Sequence, residues 1–276
     1  MGVFTNAELL PVLAKVIEEV PSLRVVIYDG QPSESVLSKI KGVREGMTVL
    51  SIDALRELGR EQPLELAESR TPSSDDVACI MYTSGTTGPP KGVVLKHSNL
   101  IAAIGAVMTL VGHHLKPNDS FLAFLPLAHI LEYVVELSFV FVGICSGYGR
   151  VKTLTDQSVR NCQGDIKAFQ PTIMVGVPAV WELIRKGILA QVNKSGAIRK
   201  SMFNGAMTVK KANVPVLKNV VDSVVFAKIR QATGGRLRVA LSGGAALSRE
   251  TQEFLNLALV TIIQGMVVAS FADSYA

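Results

Sequence analysis

The stretch YTSGTTGPPKG, Tyr82 to Gly92, has the residue types that bind phosphate. Gly85, Gly88 and Gly92 let backbone amides approach an anion closely. Thr83, Ser84, Thr86 and Thr87 add hydroxyl donors, and Lys91 adds a point charge that can reach a β- or γ-phosphate. Pro89 and Pro90 stiffen the arm that carries Lys91. A Walker A loop, G-x-x-x-x-G-K-[ST], is excluded by spacing. Counting from Gly85, the second glycine position holds Pro90, and Lys91 is followed by Gly92 rather than Ser or Thr. Composition alone also allows an ordinary surface turn.

Other residues could do chemistry too. LSGGAALS ends a strand-like run in glycines, which suits either a tight turn into a helix or a backbone surface open to a flat ligand. His129 follows LPLA and can be a capping or core histidine or a ligand contact, and Tyr133 lies four residues on, where plain helix packing also places an aromatic. Trp181, the single tryptophan, follows Pro178 near a helix start and is read as core. Cys79, Cys145 and Cys162 are odd in number, with no CxxC, which fits a reducing compartment and offers no metal site.

The elements that must position these residues alternate. NAELLPVLAKVIEEV puts Leu9, Leu13, Val16 and Val20 on one helical face, with Pro11 near its first turn. LRVVIYDG, VACIMYT, TIMVGVP and RLRVALSGG read as strands, and FLAFLPL as a further apolar segment. Helices are expected over SIDALRELG, closed by Gly59, after Ser98 as cap, from Ala179 to about Val192, and over SRETQEFLNLALV. QPLELAESRTPSSDD reads as a polar loop. Such alternation predicts an α/β fold with largely parallel sheets flanked by helices.

With 276 residues and 18% charged residues, the chain can bury a core and is neither disordered nor fibrous. The apolar runs Leu100 to Gly112 and Leu137 to Cys145 are shorter than the ~20 residues of a membrane span and read as buried helices. No signal peptide is visible, and Asn6 stands where a myristoylation signal wants Ser or Thr. The net charge of +5 is concentrated: Arg185, Lys186, Lys194, Arg199, Lys200, Lys210, Lys211 and Lys218 fall in a stretch without one acid. That segment, 185–218, is a solvated helical face or a surface for anionic membranes; nucleic acid fits less well, since no known nucleic-acid motif accompanies it.

YTSGTTGPPKGV resembles, residue for residue, the signature of the adenylate-forming (AMP-binding) superfamily. LPLAHILEYVVEL, FQPTIMVGVPAVWELI and LSGGAALS follow in the family's order, and their wording is similar to that of the eukaryotic-type long-chain fatty acyl-CoA synthetases. The resemblance runs from about Phe4 to Gly265. It implies part of the large N-terminal domain of the adenylate-forming fold over 1–265, and an atypical tail over 266–276. It implies a long-chain fatty acid:CoA ligase that uses ATP with Mg2+ to form acyl-AMP and then coenzyme A as acceptor. Thr83, Ser84, Gly85, Thr86, Thr87, Gly88 and Lys91 would then hold the ATP phosphates. Ser242, Gly243, Gly244, Ala245, Gln264 and Gly265 would border adenine, and His129 and Tyr133 the acyl chain. It also implies an intracellular protein at the cytosolic face of the endoplasmic reticulum or another membrane.

The family continues after Gln264-Gly265 with tyrosine, threonine and a magnesium-holding glutamate, whereas this sequence reads Met266 to Ser270. The expectation is an incomplete chain, through an altered frame, a retained intron or an alternative end, without the family's C-terminal lysine. No catalytic or metal-ligating residue is therefore assigned, and little ligase activity is expected from the chain alone. The alternative is a catalytically dead nucleotide- or lipid-binding chain.

Overall fold

A computed structural model describes residues 1–83, 89–156, 158–212, 219–231 and 233–265. The chain divides into two compact units, Met1–Pro72 and Ser73 onward.

In the first unit β1 (Gly2–Asn6), β2 (Val25–Asp29) and β3 (Thr48–Ser51) form a parallel sheet in that order. Helices α1 (Leu10–Val16), α2 (Glu34–Gly42), α3 (Ile52–Arg60) and α4 (Leu64–Glu68) connect or follow the strands. Its core joins Leu10, Ala14 and Ile17 to Leu23, Val26, Leu37 and Ile40. The buried face of α1 is thus one residue out of phase with the predicted one, and Leu9 and Val16 are exposed. Both stripes of this helix are apolar, so periodicity cannot choose between them. Helix α4 lies within the segment read as a polar loop. The Arg44 guanidinium closes the end of the first helical segment by donating to the carbonyls of Ile17 at 2.7 Å and Val20 at 2.9 Å.

The second unit opens with an antiparallel hairpin of β4 (Val77–Thr83) and β5 (Lys91–Lys96). Helix α5 (His97–Val111) follows directly. Its start is capped by Asn99, whose Oδ1 accepts from Lys96 N at 2.9 Å, and not by Ser98. Only Leu100 and Val111 of α5 are buried, so the expected buried helix is mostly a surface one. Then come β6 (Ser120–Ala123), α6 (Ile130–Val142), β7 (Cys145–Tyr148), α7 (Asp165–Phe169), β8 (Ile173–Gly176), α8 (Pro178–Lys194), α9 (Ala197–Lys211), α10 (Ala227–Gln231), β9 (Val239–Ser242), α11 (Arg249–Ala258) and β10 (Ile262–Gln264). The run read as one helix to Cys145 therefore splits, with α6 ending at Val142 and Cys145 opening β7.

Five strands make one all-parallel sheet in the order β10-β9-β8-β6-β7. Successive residues of a strand face opposite sides, and both sides are covered. Leu122, Met174, Ala240 and Ile262 pack with Trp181, Ile184, Phe203 and Phe254 on one side. Phe121, Ile173, Val175 and Val239 pack with Leu131, Val135 and Phe139 of α6 on the other. At the amino ends of these strands the Asp119 carboxylate accepts from the Arg238 guanidinium, from the Thr172 hydroxyl at 2.7 Å and from Lys116 N at 2.7 Å.

Candidate functional site

In an open parallel sheet, ligands bind beyond the carboxyl ends of the strands, where the connecting turns leave a crevice. Three turns and the end of β10 meet there. The first turn leaves β6 and runs through Phe124 to His129, the others follow β8 at Val177 and β9 at Gly243-Gly244, and Gly265 follows β10 beside them. Backbone bonds tie them, Gly243 N to Gly176 O at 3.1 Å and Gly265 N to Ser242 O at 3.0 Å. A Cβ at position 243 would lie 2.9 Å from Leu131 Cδ1 and 3.2 Å from Gly265 O, so a larger residue would push Leu131 aside and crowd that carbonyl. Gly244 has φ +81°, in the left-handed region that glycine enters without strain. A Cβ at 244 would lie 3.8 Å from His129 Cε1 and 3.6 Å from Val177 Cγ1, so the imidazole stands beside this glycine surface.

His129 is the N-cap of α6, and its Nδ1 accepts from Leu131 N at 3.3 Å. In the neutral ring the proton then sits on Nε2, and the residue is exposed. Tyr133 stands one turn further on, half-buried, its N donating to His129 O at 3.2 Å. Ser242 is buried, and its Oγ has no partner among the described residues. Ala245 is exposed. Gln264 is differently employed: its Oε1 accepts from Leu247 N at 3.3 Å and its Nε2 donates to Gln252 Oε1 at 2.7 Å, so the side chain pins β10 to α11.

Of the predicted phosphate loop, Ser84, Gly85, Thr86, Thr87 and Gly88 lie outside the described residues. Its two ends do not. Thr83 pairs with Lys91 across the hairpin and Tyr82 with Gly92, so Lys91 is the first residue of β5, exposed at the loop's base. The structure thus brings together His129, Ser242, Gly243, Gly244 and Gly265 at the strand ends, with Tyr133 one turn into α6, and sets Lys91 on the hairpin.

One residue escaped the sequence reading. Glu132, in the first turn of α6, is fully buried, and neither carboxyl oxygen has a partner among the described residues. Burial, reinforced by Glu136, pushes its carboxyl up to about 7, while the backbone N–H groups of Leu125 and Phe124 pull the other way. The available signal was an acid set within the apolar run ILEYVVELSFVFV. A carboxyl whose folded pKa is raised stabilises most below its unfolded value of 4.5, and that contribution is lost as pH rises through about 7. Stability of the second unit should therefore fall between pH 5 and 8. Glu132→Gln should flatten that fall and recover on the order of 2–3 kcal/mol at pH 8. Urea titrations followed by the fluorescence of Trp181 measure this; equal pH slopes in the two proteins would contradict it.

The model of the AMP-binding enzyme family matches residues 3–268. The chain belongs to the AMP-binding enzyme family. This AMP-binding chain is 41% identical over 268 residues to long-chain-fatty-acid–CoA ligase 2 of Schizosaccharomyces pombe, covering 96% of itself and 38% of that protein. It is 42% identical over 282 residues to long-chain-fatty-acid–CoA ligase 1 of Saccharomyces cerevisiae, covering 96% of itself and 40% of that protein. The AMP-binding chain thus spans about two fifths of the length of the curated relatives it matches. Among solved structures, the adenylation domain of a carboxylate reductase from Mycobacterium chelonae superposes with a TM-score of 0.70 at 21% identity, covering 97% of this chain and 39% of that one. The N-terminal domain of FACL13 from Mycobacterium tuberculosis gives 0.54 at 20%, covering 94% and 54%. At these identities the structures establish the adenylate-forming fold alone.

Proposed function

We propose that residues 1–265 form the part of a long-chain fatty acid:CoA ligase that binds ATP phosphates and adenine and borders the acyl chain, with 266–276 a tail that departs from the family. The observation that carries this reading is the meeting of the His129 ring with the Gly243-Gly244 surface at the sheet's carboxyl edge. In the proposed reaction a fatty carboxylate oxygen attacks the α-phosphorus of ATP and pyrophosphate leaves. The thiol of coenzyme A then attacks the acyl carbonyl and AMP leaves. Charge gathers on phosphate oxygens in the first step, so fixed donors and positive charge do most of the work. Lys91 and the loop from Thr83 to Gly88 supply them, the bare glycine backbone admits the adenine plane, and His129 and Tyr133 border the carboxylate and its chain.

Among the described residues no three His, Cys, Asp or Glu side chains converge to hold a metal ion. Magnesium is proposed to enter on the phosphates of ATP, and where the family places its magnesium-holding glutamate this sequence reads Met266 to Ser270. For this reason the chain alone is expected to bind nucleotide without turning it over, and a clear acyl-CoA product from the purified chain would overturn that expectation. Calorimetry with ATP and AMP tests the binding. ATP should bind the unaltered chain more tightly than AMP, and Lys91→Ala should weaken ATP by about tenfold while leaving AMP nearly unchanged, as expected for one charge-assisted contact. Absence of nucleotide binding at millimolar concentration would defeat the proposal.

The proposed partner at the surface is an anionic membrane, in keeping with a location at a membrane face. No helix among the described residues is long and apolar enough to cross one. Much of the basic segment is internally neutralised: Arg185 pairs with Glu250 and Glu182, Lys210 with Asp222, and Lys211 with Glu253. Lys218 lies outside the described residues. Lys194, Arg199 and Lys200 remain exposed around the junction of α8 and α9, beside exposed Ile198. Each cation near an anionic surface contributes ~1 kcal/mol. The chain should sediment with phosphatidylserine vesicles and not with neutral ones, and changing these three residues to Gln should abolish the difference. Binding indifferent to lipid charge and salt would exclude it.

A further inference from the structure

Two buried polar atoms behind the glycine surface have no hydrogen-bond partner among the described residues: the Trp181 indole Nε1 and the Ser242 hydroxyl Oγ. Trp181 is 0% exposed and Ser242 2%. An orphaned polar group at that depth is costly, and folded proteins leave few of them. Strand register brings the two to one place. Gly176, Ser242 and Gln264 stand side by side on β8, β9 and β10. Two residues earlier in each strand, Met174, Ala240 and Ile262 belong to the cluster that contains Trp181. Side chains alternate along a strand, so Ser242 points to this same side, against α8 and α11 and away from His129. Gly176 has no side chain, and the indole lies over it: a Cβ there would be 3.1 Å from Nε1. Neighbouring strands are ~4.8 Å apart, which sets the Ser242 hydroxyl about one strand spacing from the indole N–H. That is too far for a direct hydrogen bond and close to the ~5 Å that one water spans between two partners. The neighbour on the other side of Ser242 is already engaged, since Gln264 is held by Leu247 N at 3.3 Å and Gln252 Oε1 at 2.7 Å.

We propose that Trp181 Nε1 and Ser242 Oγ hold one buried water between them, on the α8 side of the sheet, and that this bridge positions the Gly243-Gly244 turn. The indole donates to the water and the water donates to the serine oxygen. Two polar partners suffice for a buried water, and the missing Cβ of Gly176 leaves it room. The bridge doubles a link that the backbone makes in the plane of the sheet, where Gly243 N donates to Gly176 O at 3.1 Å. One link lies within the sheet and the other beneath it, so the turn after β9 is held against both sliding and tilting relative to the turn after β8. Trp181 acts through Ser242, as a positioning residue. The effect on ligand binding rests on reading the Gly243-Gly244 surface as the adenine side of the site; the bridge itself does not.

Trp181 is the single tryptophan, so its indole N–H gives one resonance that needs no further assignment. Nuclear magnetic resonance of the whole chain, without nucleotide, should show a cross-peak from this proton to water, with the sign of a long-held molecule. Ser242→Ala should remove the cross-peak and move the indole proton upfield. In calorimetry, Ser242→Ala and Trp181→Phe should each weaken AMP binding about fivefold. The double variant should bind no more weakly than the weaker single one, because both changes break the same bridge. Additive losses would show that the two side chains act separately, and would overturn the proposal. So would an indole proton in the unaltered chain that shows no contact with water. Should a variant fail to fold, the cross-peak of the unaltered chain still decides. A chain that has the cross-peak and loses it in Ser242→Ala, but binds no AMP, would keep the bridge and refute the nucleotide reading.

Discussion

Replacing Trp181 by alanine is expected to destabilise the second unit by about 3–5 kcal/mol, the cost of emptying a buried indole site. Trp181 has 0% exposure and stands in the cluster that joins β6, β8 and β9 to α8, α9 and α11. The fit is close: a Cβ on Gly176 would lie 3.1 Å from two atoms of the ring, so backbone and indole are already in contact. The indole Nε1 has no acceptor among the described residues, so Trp181→Phe removes volume without breaking a hydrogen bond to another residue and should cost much less. The functional consequence follows from position. Gly176 ends β8, and the next residue, Val177, flanks Gly244. Loss of the indole should therefore weaken AMP binding along with stability. Urea unfolding followed by circular dichroism gives the first quantity and calorimetry the second. A loss below about 1 kcal/mol would show that the cluster collapses around the gap.

Replacing Arg238 by methionine is expected to cost about 3–5 kcal/mol, because it leaves the Asp119 carboxylate buried without its cation. The Asp119 side chain is 2% exposed and that of Arg238 27% exposed. Burial pushes the Asp119 carboxyl up, but the Arg238 guanidinium, the Thr172 hydroxyl and the Lys116 amide together outweigh it and hold the pKa below the usual carboxylate value. A depressed folded pKa contributes stability above the unfolded value, and that contribution is lost as pH falls through the depressed one. The unaltered chain should thus lose this contribution only in acid. In Arg238→Met the pKa should rise, and the variant should recover part of its lost stability as pH is lowered toward 4. A double change that also makes Asp119→Leu should be less damaging than Arg238→Met alone, since no buried charge is then stranded. Denaturant midpoints at pH 4 and 7 separate these outcomes; a pH-independent loss would remove the electrostatic account.

Local signals in the sequence were enough for some of this structure. β8 and β9 read directly because a strand buried on both faces is a short apolar run bounded by Gly or Pro, as in TIMVGVP and RLRVALSGG. VACIMYT, another short apolar run, also read as a strand, and it is one of the two strands that flank the Gly-rich loop as a hairpin. Other features have no local signature. Leu9 and Leu10, like Val16 and Ile17, offer two adjacent apolar faces, and only the packing of Val26, Leu37 and Ile40 decides that the second is buried. Asp119 meets Arg238 across 119 residues, a distance no window spans. Gln264 lies where the family resemblance puts an adenine contact, yet its amide is satisfied by Leu247 and Gln252. Glu132 escaped the sequence reading, because its burial without a partner is a property of the packed chain and not of its neighbours in sequence.

The strand order β7-β6-β8-β9-β10 carries a consequence for how the protein is made. Read from β6, every later strand of the sheet except β7 adds to the same growing side, each on the edge left by its predecessor. A chain leaving the ribosome can therefore lay down this sheet in the order of translation, without reopening a pair already formed. The hazard is delay. At roughly 5–20 residues per second, Asp119 waits on the order of 6–24 seconds for Arg238 to be synthesised, and the free edge of β8 stays open for much of that time. Chaperone demand during synthesis should be concentrated in that interval, before β9 emerges.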